Sequence, residues 1–245
     1  MNFNIKELNA LISGAFKKYN KLTKEIILKY TLSIPKEHNK YIIYLLGMEN
    51  MFYLSYSQIN TIYIGASNNK KLTDNYLNNE NIVLSNTSSN VLLNFCINAF
   101  DKNRASASPW EGIPREKKTI PNILFTLNNE NCTITFVKII NDKSNKKQVL
   151  NSIKKELINI SNIKINIDNL NKLISKNKIN TPNKENYLKL INNSISDLKK
   201  SKLEKIVLSK IEEHSTIGKI NVIEIINTMN KKYNQCFNFV VKLNK

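Results

Sequence analysis

Apolar residues recur along this chain with two different periods. The order in which the two alternate is the tightest constraint on its fold. A helical period runs through residues 4–20, where Ile5, Leu8, Leu11, Ile12, Phe16 and Tyr19 share one face. It returns over residues 148–159 and again over 183–200, where Tyr187, Leu190, Ile191, Ile195 and Leu198 align and Asn183 stands as cap. Residues 220–231 repeat it through Val222, Ile225, Ile226 and Met229. Between these lie short β-branched and aromatic runs that read as strands: 40–47, 51–56, 59–66, 91–100, 122–127, 133–140, 203–210 and 235–241. Helices and strands mix without a regular βαβ rhythm. The expected class is therefore α+β, with mixed antiparallel sheets and flanking helices.

The breaks between these runs are polar. Residues 67–81 are Asn-rich and read as a loop. Pro109, Pro114 and Pro121 exclude a continuous helix around Trp110 and predict an ordered loop there. Residues 141–182 read as a variable, low-complexity connecting segment. It holds a polar break at 141–147, the helix at 148–159 and an Asn/Lys/Ile-rich surface stretch over 160–182.

With 245 residues, 41% hydrophobic and 23% charged, the chain can bury a full core and is not a disordered polymer. Its longest apolar run, Tyr41 to Met48, is too short to cross a bilayer. Lys6, Glu7 and Asn9 interrupt the first apolar stretch and argue against a secretory signal. Cys96, Cys132 and Cys236 lie far apart, with no metal-ligand spacing. An odd cysteine count fits a reducing, cytoplasmic location. His38 and His214 are the only histidines, so a zinc site or a Ser/His/Asp triad lacks material. His214, in a Glu-Glu-His-Ser turn, is expected to be solvated.

The net charge of +18 raises a nucleic-acid reading. Only Arg104 and Arg115 among the 37 basic residues are arginine, and the rest are lysine. Specific backbone recognition favours arginine forks. Lysine, Asn and Ile are all encoded by A/T-rich codons, so an A/T-rich genome accounts for the charge. A basic, non-catalytic nucleic-acid-binding protein is therefore the competing expectation and not the leading one. A degenerate, non-catalytic remnant is a third.

Residues 183–241 resemble the chorismate-utilising enzymes, and among them isochorismate synthase. Leu203-Glu204-Lys205-Ile206-Val207-Leu208-Ser209-Lys210, fed by an amphipathic helix, is similar to the family's K-V-V-L-[AS]-R strand. After a further helix, Gln235 to Val241 is similar to its c-Y-x-F strand. The Trp110 loop with the strands behind it, and more weakly 40–56 and 91–100, resemble the upstream part of the family.

The resemblance implies an isomerase that adds water at C2 of chorismate and expels the hydroxyl at C4, in menaquinone or siderophore biosynthesis. It makes Lys205 the general base that activates the water, with Mg²⁺ as cofactor. A salicylate synthase, which shares this lysine, is the alternative within the family. Lys210 stands where the family carries arginine, which keeps the charge but loses the planar fork. The family's G-A-S-P-E segment, its catalytic acid and its Mg²⁺ ligands have no counterpart before Lys245. The expectation is an incomplete chorismate-utilising-enzyme fold, with residues 1–245 as the N-terminal part of a single enzyme domain. Such a chain would be inactive alone, and a separate C-terminal half would be its partner.

Overall fold

The computed structural model describes residues 4–22, 24–67, 82–99, 113–164, 174–217 and 220–243. They form two compact units. One comprises Met1–Ile165 with Ile223–Lys245, and the other Asn166–Val222.

The larger unit is built on a seven-stranded sheet. Its strands are β1 (Ile26–Ser33), β2 (Asn50–Tyr56), β3 (Thr61–Ser67), β4 (Ile82–Ser85), β7 (Ile123–Leu127), β8 (Cys132–Ile140) and β11 (Phe237–Lys242). They lie in the order β11-β2-β3-β7-β8-β1-β4. Every pairing is antiparallel except that of β1 with β4. A small hairpin-like pair, β5 (Phe95–Asn98) with β6 (Glu116–Thr119), accompanies it.

Strand alternation sorts the side chains of this sheet onto two faces. Leu28, Tyr30, Ile134, Phe136, Phe125, Ile64 and Tyr53 are buried on one of them. The helices α1 (Ile5–Leu22), α2 (His38–Leu46) and α3 (Lys146–Asn162) cover that face. Tyr41 of α2 stacks on Phe125 with ring centroids 4.3 Å apart, and Tyr44 meets the same ring edge-on. α1 adds Leu8, Ile12, Ala15 and Phe16, and α3 adds Ile153, Leu157 and Ile160. Asn145 caps α3 by accepting from the backbone N–H groups of Lys147 and Gln148.

The other face carries Lys29, Thr31, Thr135, Val137, Leu124, Thr126, Gly65 and Phe52. Residues 86–99 and 116–121 cover part of it. Phe95 stacks on Phe52 at 5.0 Å, and Ile120 packs on Ile27 and Val137. A Cβ on Gly65 would stand 2.8 Å from the Phe95 ring and 3.0 Å from Pro121, so this crossing requires glycine.

Residues 38–46 form a helix, where the sequence predicts a strand over 40–47. Tyr41, Ile42 and Leu45 are the buried residues, a helical arc and not an alternating one. A short apolar run fits both templates, and the uncovered sheet face decides between them. The carbonyls of Leu46 and Met48, at the end of this helix, accept from Lys242 Nζ at 2.6 and 2.8 Å.

The smaller unit contains the ribbon of β9 (Ile174–Thr181) with β10 (Ile211–Ile217), and α4 (Lys184–Lys200), which is capped by Asn183. His214 lies in strand β10 and not in a turn, and it is exposed as expected. α5 (Val222–Lys232), which from Ile223 on belongs to the larger unit, buries Ile223 and Ile226. Trp110 and most of the loop at 67–81 lie outside the described residues.

Candidate functional site

Lys205 is exposed on an irregular segment, and residues 203–210 form no strand. The expected alternation survives only in outline. Ile206 and Leu208 are half-buried, while Leu203 and Val207 are 56% and 77% exposed. A strand needs a neighbour to receive its backbone hydrogen bonds, and no described residue pairs with this segment. The requirement for a lysine base is burial or a nearby cation that favours the neutral amine. The exposed position of Lys205 does not supply that burial.

Lys210 ends the same segment and approaches Glu212 Oε2 at 3.4 Å. Glu212 also accepts from Lys178 at 2.8 Å and contacts His214 Nε2 at 2.8 Å. The Lys178 hydrogen bond first, and then that of His214, hold the Glu212 carboxyl down to about 2. These groups are solvated and clasp the β9–β10 ribbon together. They do not assemble around Lys205 into an acid–base pair.

Several polar groups of the larger unit lie beneath its helices. The Tyr44 hydroxyl donates to Glu156, and burial pushes its pKa up. Lys138 lies close by, its pKa lowered by burial and partly restored by Glu156. His38 leans on Tyr53, whose hydroxyl accepts from Asn230 at 2.6 Å. Asn230 in turn accepts from Asn238 at 3.3 Å. Burial pushes the Cys132 thiol up to about 11, which leaves it unreactive. Tyr44 with Glu156, and Tyr53 with Asn230 and Asn238, satisfy one another inside the helix-covered layer, while His38 Nε2 is buried without a hydrogen-bond partner among the described residues.

Mg²⁺ finds no ligand set among the described residues. Among the described residues no group of three or more His, Cys, Asp or Glu side chains could hold a metal ion. Nor is any described helix long and apolar enough to cross a membrane.

One polar residue on the opposite face escaped the sequence reading. Lys29 interrupts the apolar strand Ile26-Ile27-Leu28-Lys29-Tyr30 and directs its ammonium to the carbonyls of Ser89 and Val91, both at 2.9 Å. A lysine inside a buried strand was the available signal.

Comparison with known proteins fixes the affiliation. No curated protein sequence matches the chain significantly. In structure the chain is similar to the menaquinone-specific isochorismate synthase MenF of Escherichia coli, with a TM-score of 0.59 at 12% identity. The match covers 96% of this chain and 53% of that one, so the chain spans about half the length of that enzyme. At this identity the likeness establishes the fold, the α+β architecture expected from the sequence. The family model described as chorismate binding enzyme matches residues 30–245, nearly the whole chain, and the chain belongs to that family.

Proposed function

We propose that this chain is the N-terminal part of an isochorismate synthase, and that a second polypeptide segment completes its active site. The observation that carries this reading is the family match over residues 30–245. That span takes in Leu203–Lys210 and so Lys205. In the proposed reaction Lys205 Nζ accepts a proton from water as the water oxygen bonds to C2 of chorismate. The ring double bonds shift, and the C4–O bond breaks. An acid outside the described residues protonates the departing hydroxyl, so water is gained and lost in equal measure. General acid–base catalysis needs both groups, one on each side of the substrate.

The exposure of Lys205 fits a site that is unfinished in this chain alone. A strand added beside residues 203–210 would bury the amine, the setting a lysine base requires. The Mg²⁺ ligands would come from outside the described residues, which hold no group of three or more His, Cys, Asp or Glu side chains able to bind a metal.

The test is turnover of chorismate with Mg²⁺, with the product identified as isochorismate or salicylate. The 245-residue chain alone is expected to be inactive. Co-expression with a polypeptide carrying a G-A-S-P-E segment should restore turnover, and Lys205→Ala should then abolish it with chorismate binding largely kept. Turnover by the chain alone, or near-normal turnover with Lys205→Ala, removes the reading.

A further inference from the structure

The face of the sheet opposite the helices holds a cavity of about 260 Å³. Thr31, Thr126 and Thr135 lie on its floor, and Leu92, Leu93 and Val137 help to wall it. Lys29 enters from β1. The segment over the cavity is fixed in place by side chains and not by a strand. Asn86 acts as a substitute for a strand neighbour. Its Oδ1 accepts from the Thr31 N–H at 2.8 Å, and its Nδ2 donates to the Thr31 carbonyl at 2.7 Å. Lys29 holds the next turn through the carbonyls of Ser89 and Val91. The Thr31 and Thr135 hydroxyls meet at 2.9 Å on the floor.

Among the described residues the charge in this cavity is unbalanced. Among the described residues Lys29 bonds two carbonyls and no carboxylate, and no Asp or Glu lines the cavity. An ammonium has three N–H donors, so two carbonyls leave one to give. Apolar walls, hydroxyls and one uncompensated cation form a site with a definite chemical preference. An anion beside Lys29 would be paired in a partly desolvated place, where such pairs are strongest.

We propose that this cavity binds a small monocarboxylate with an apolar body. The carboxylate meets Lys29 and the threonine hydroxyls, while the body lies against Leu92, Leu93 and Val137. Two related chemistries fit less well. A dicarboxylate such as chorismate would place its second charge against the leucine and valine walls, unpaired. An α-amino acid would bring an ammonium with no lining carboxylate to receive it. The proposal stands independently of the assignment of Lys205.

Calorimetric titration of the full chain tests it with four probes: 3-phenylpropanoate, the neutral 3-phenylpropan-1-ol, phenylalanine and chorismate. The expected result is saturable binding of 3-phenylpropanoate with a dissociation constant of about 1 mM or tighter, as suits a ligand of this size. The other three should bind at least about tenfold more weakly, one missing charge pair being worth that factor. Lys29→Met should weaken 3-phenylpropanoate about tenfold or more, and Lys29→Arg should restore most of the loss. Leu93→Trp keeps the lysine and fills the cavity from the half-buried covering segment. It should abolish binding even if Lys29→Met fails to fold. No saturation by 3-phenylpropanoate at about 10 mM overturns the proposal, since a fitting ligand saturates well below that. So does equal binding by the alcohol, by phenylalanine or by the Lys29→Met variant, and so does tighter binding of chorismate that Lys29→Met weakens.

Discussion

α3 and α4 are each 17 residues long, amphipathic and capped by an asparagine, yet they end in opposite circumstances. α3 buries Ile153, Leu157 and Ile160, whereas α4 buries nothing. In α4, Leu188, Leu190 and Ile195 are 51%, 42% and 46% exposed. A helical apolar stripe states that a face can be covered, and does not state which polypeptide covers it. The sheet repeats the contrast. Phe125 is fully buried under Tyr41, while Phe239 on edge strand β11 is 56% exposed.

The largest effect expected from this contrast is in the sheet. Phe125→Ala should cost about 3–5 kcal/mol in urea denaturation, through lost burial and the cavity left behind. Phe239→Ala should cost no more than about 1 kcal/mol, the scale of a cross-strand pair. Comparable losses would mean that β11 is covered in solution. Next come the helices. Ile153→Ala should cost about 2–5 kcal/mol, whereas Ile195→Ala should stay within about 0.5 kcal/mol, as for other surface changes. If a partner segment covers α4, the cost of Ile195→Ala should rise in the complex and not in the free chain.

The caps give a smaller and sharper comparison. Asn145→Ala and Asn183→Ala each remove a side-chain acceptor worth about 1 kcal/mol. Asn145→Ala should lower the cooperative transition midpoint. Asn183→Ala should reduce helix content by circular dichroism and leave that midpoint nearly unchanged.

The smallest effect concerns pH. The Glu212 carboxyl falls from an ordinary 4.5 to about 2 in the folded ribbon. A depressed acid stabilises the fold above its unfolded pKa and loses that contribution as pH falls toward the folded one. The β9–β10 ribbon should therefore loosen between about pH 4.5 and 2, with the rest of the chain unaffected. Carboxyl NMR titration should show the low value, and Lys178→Met should raise it. Full solvation keeps the consequence for global stability small.

Much of the larger unit is legible in the residues. The alternation in 51–56, 59–66 and 133–140 marks β2, β3 and β8, and the helical stripes mark α1, α3 and α5. Failures occur where structure depends on distant partners. β1 and β4 form a parallel pair that no local turn announces. Lys29 and Glu25 also break the apolar pattern around β1. β9 lies in a stretch that reads as low-complexity surface, and it is a strand because β10 pairs with it. Residues 203–210 show the converse, a strand-like pattern for which no described residue provides a neighbour. Family resemblance alone marks Lys205, because neither its spacing nor its neighbours separate it from the other lysines. Lys29 carried a local signal, a charge inside an apolar strand.

The pairing of β2 with β11 has a consequence during synthesis. Phe237 pairs with Tyr56, about 180 residues apart in the chain. At ordinary translation rates about 10–35 s separate their emergence from the ribosome. For that interval the β2–β3 ladder can form, while the outer edge of β2, with Phe52 and Leu54 on it, has no strand beside it. Lys242, the residue that locks the end of α2, emerges later still. The nascent chain therefore carries an open apolar edge through most of its synthesis, and a binder of exposed strands has its longest opportunity there.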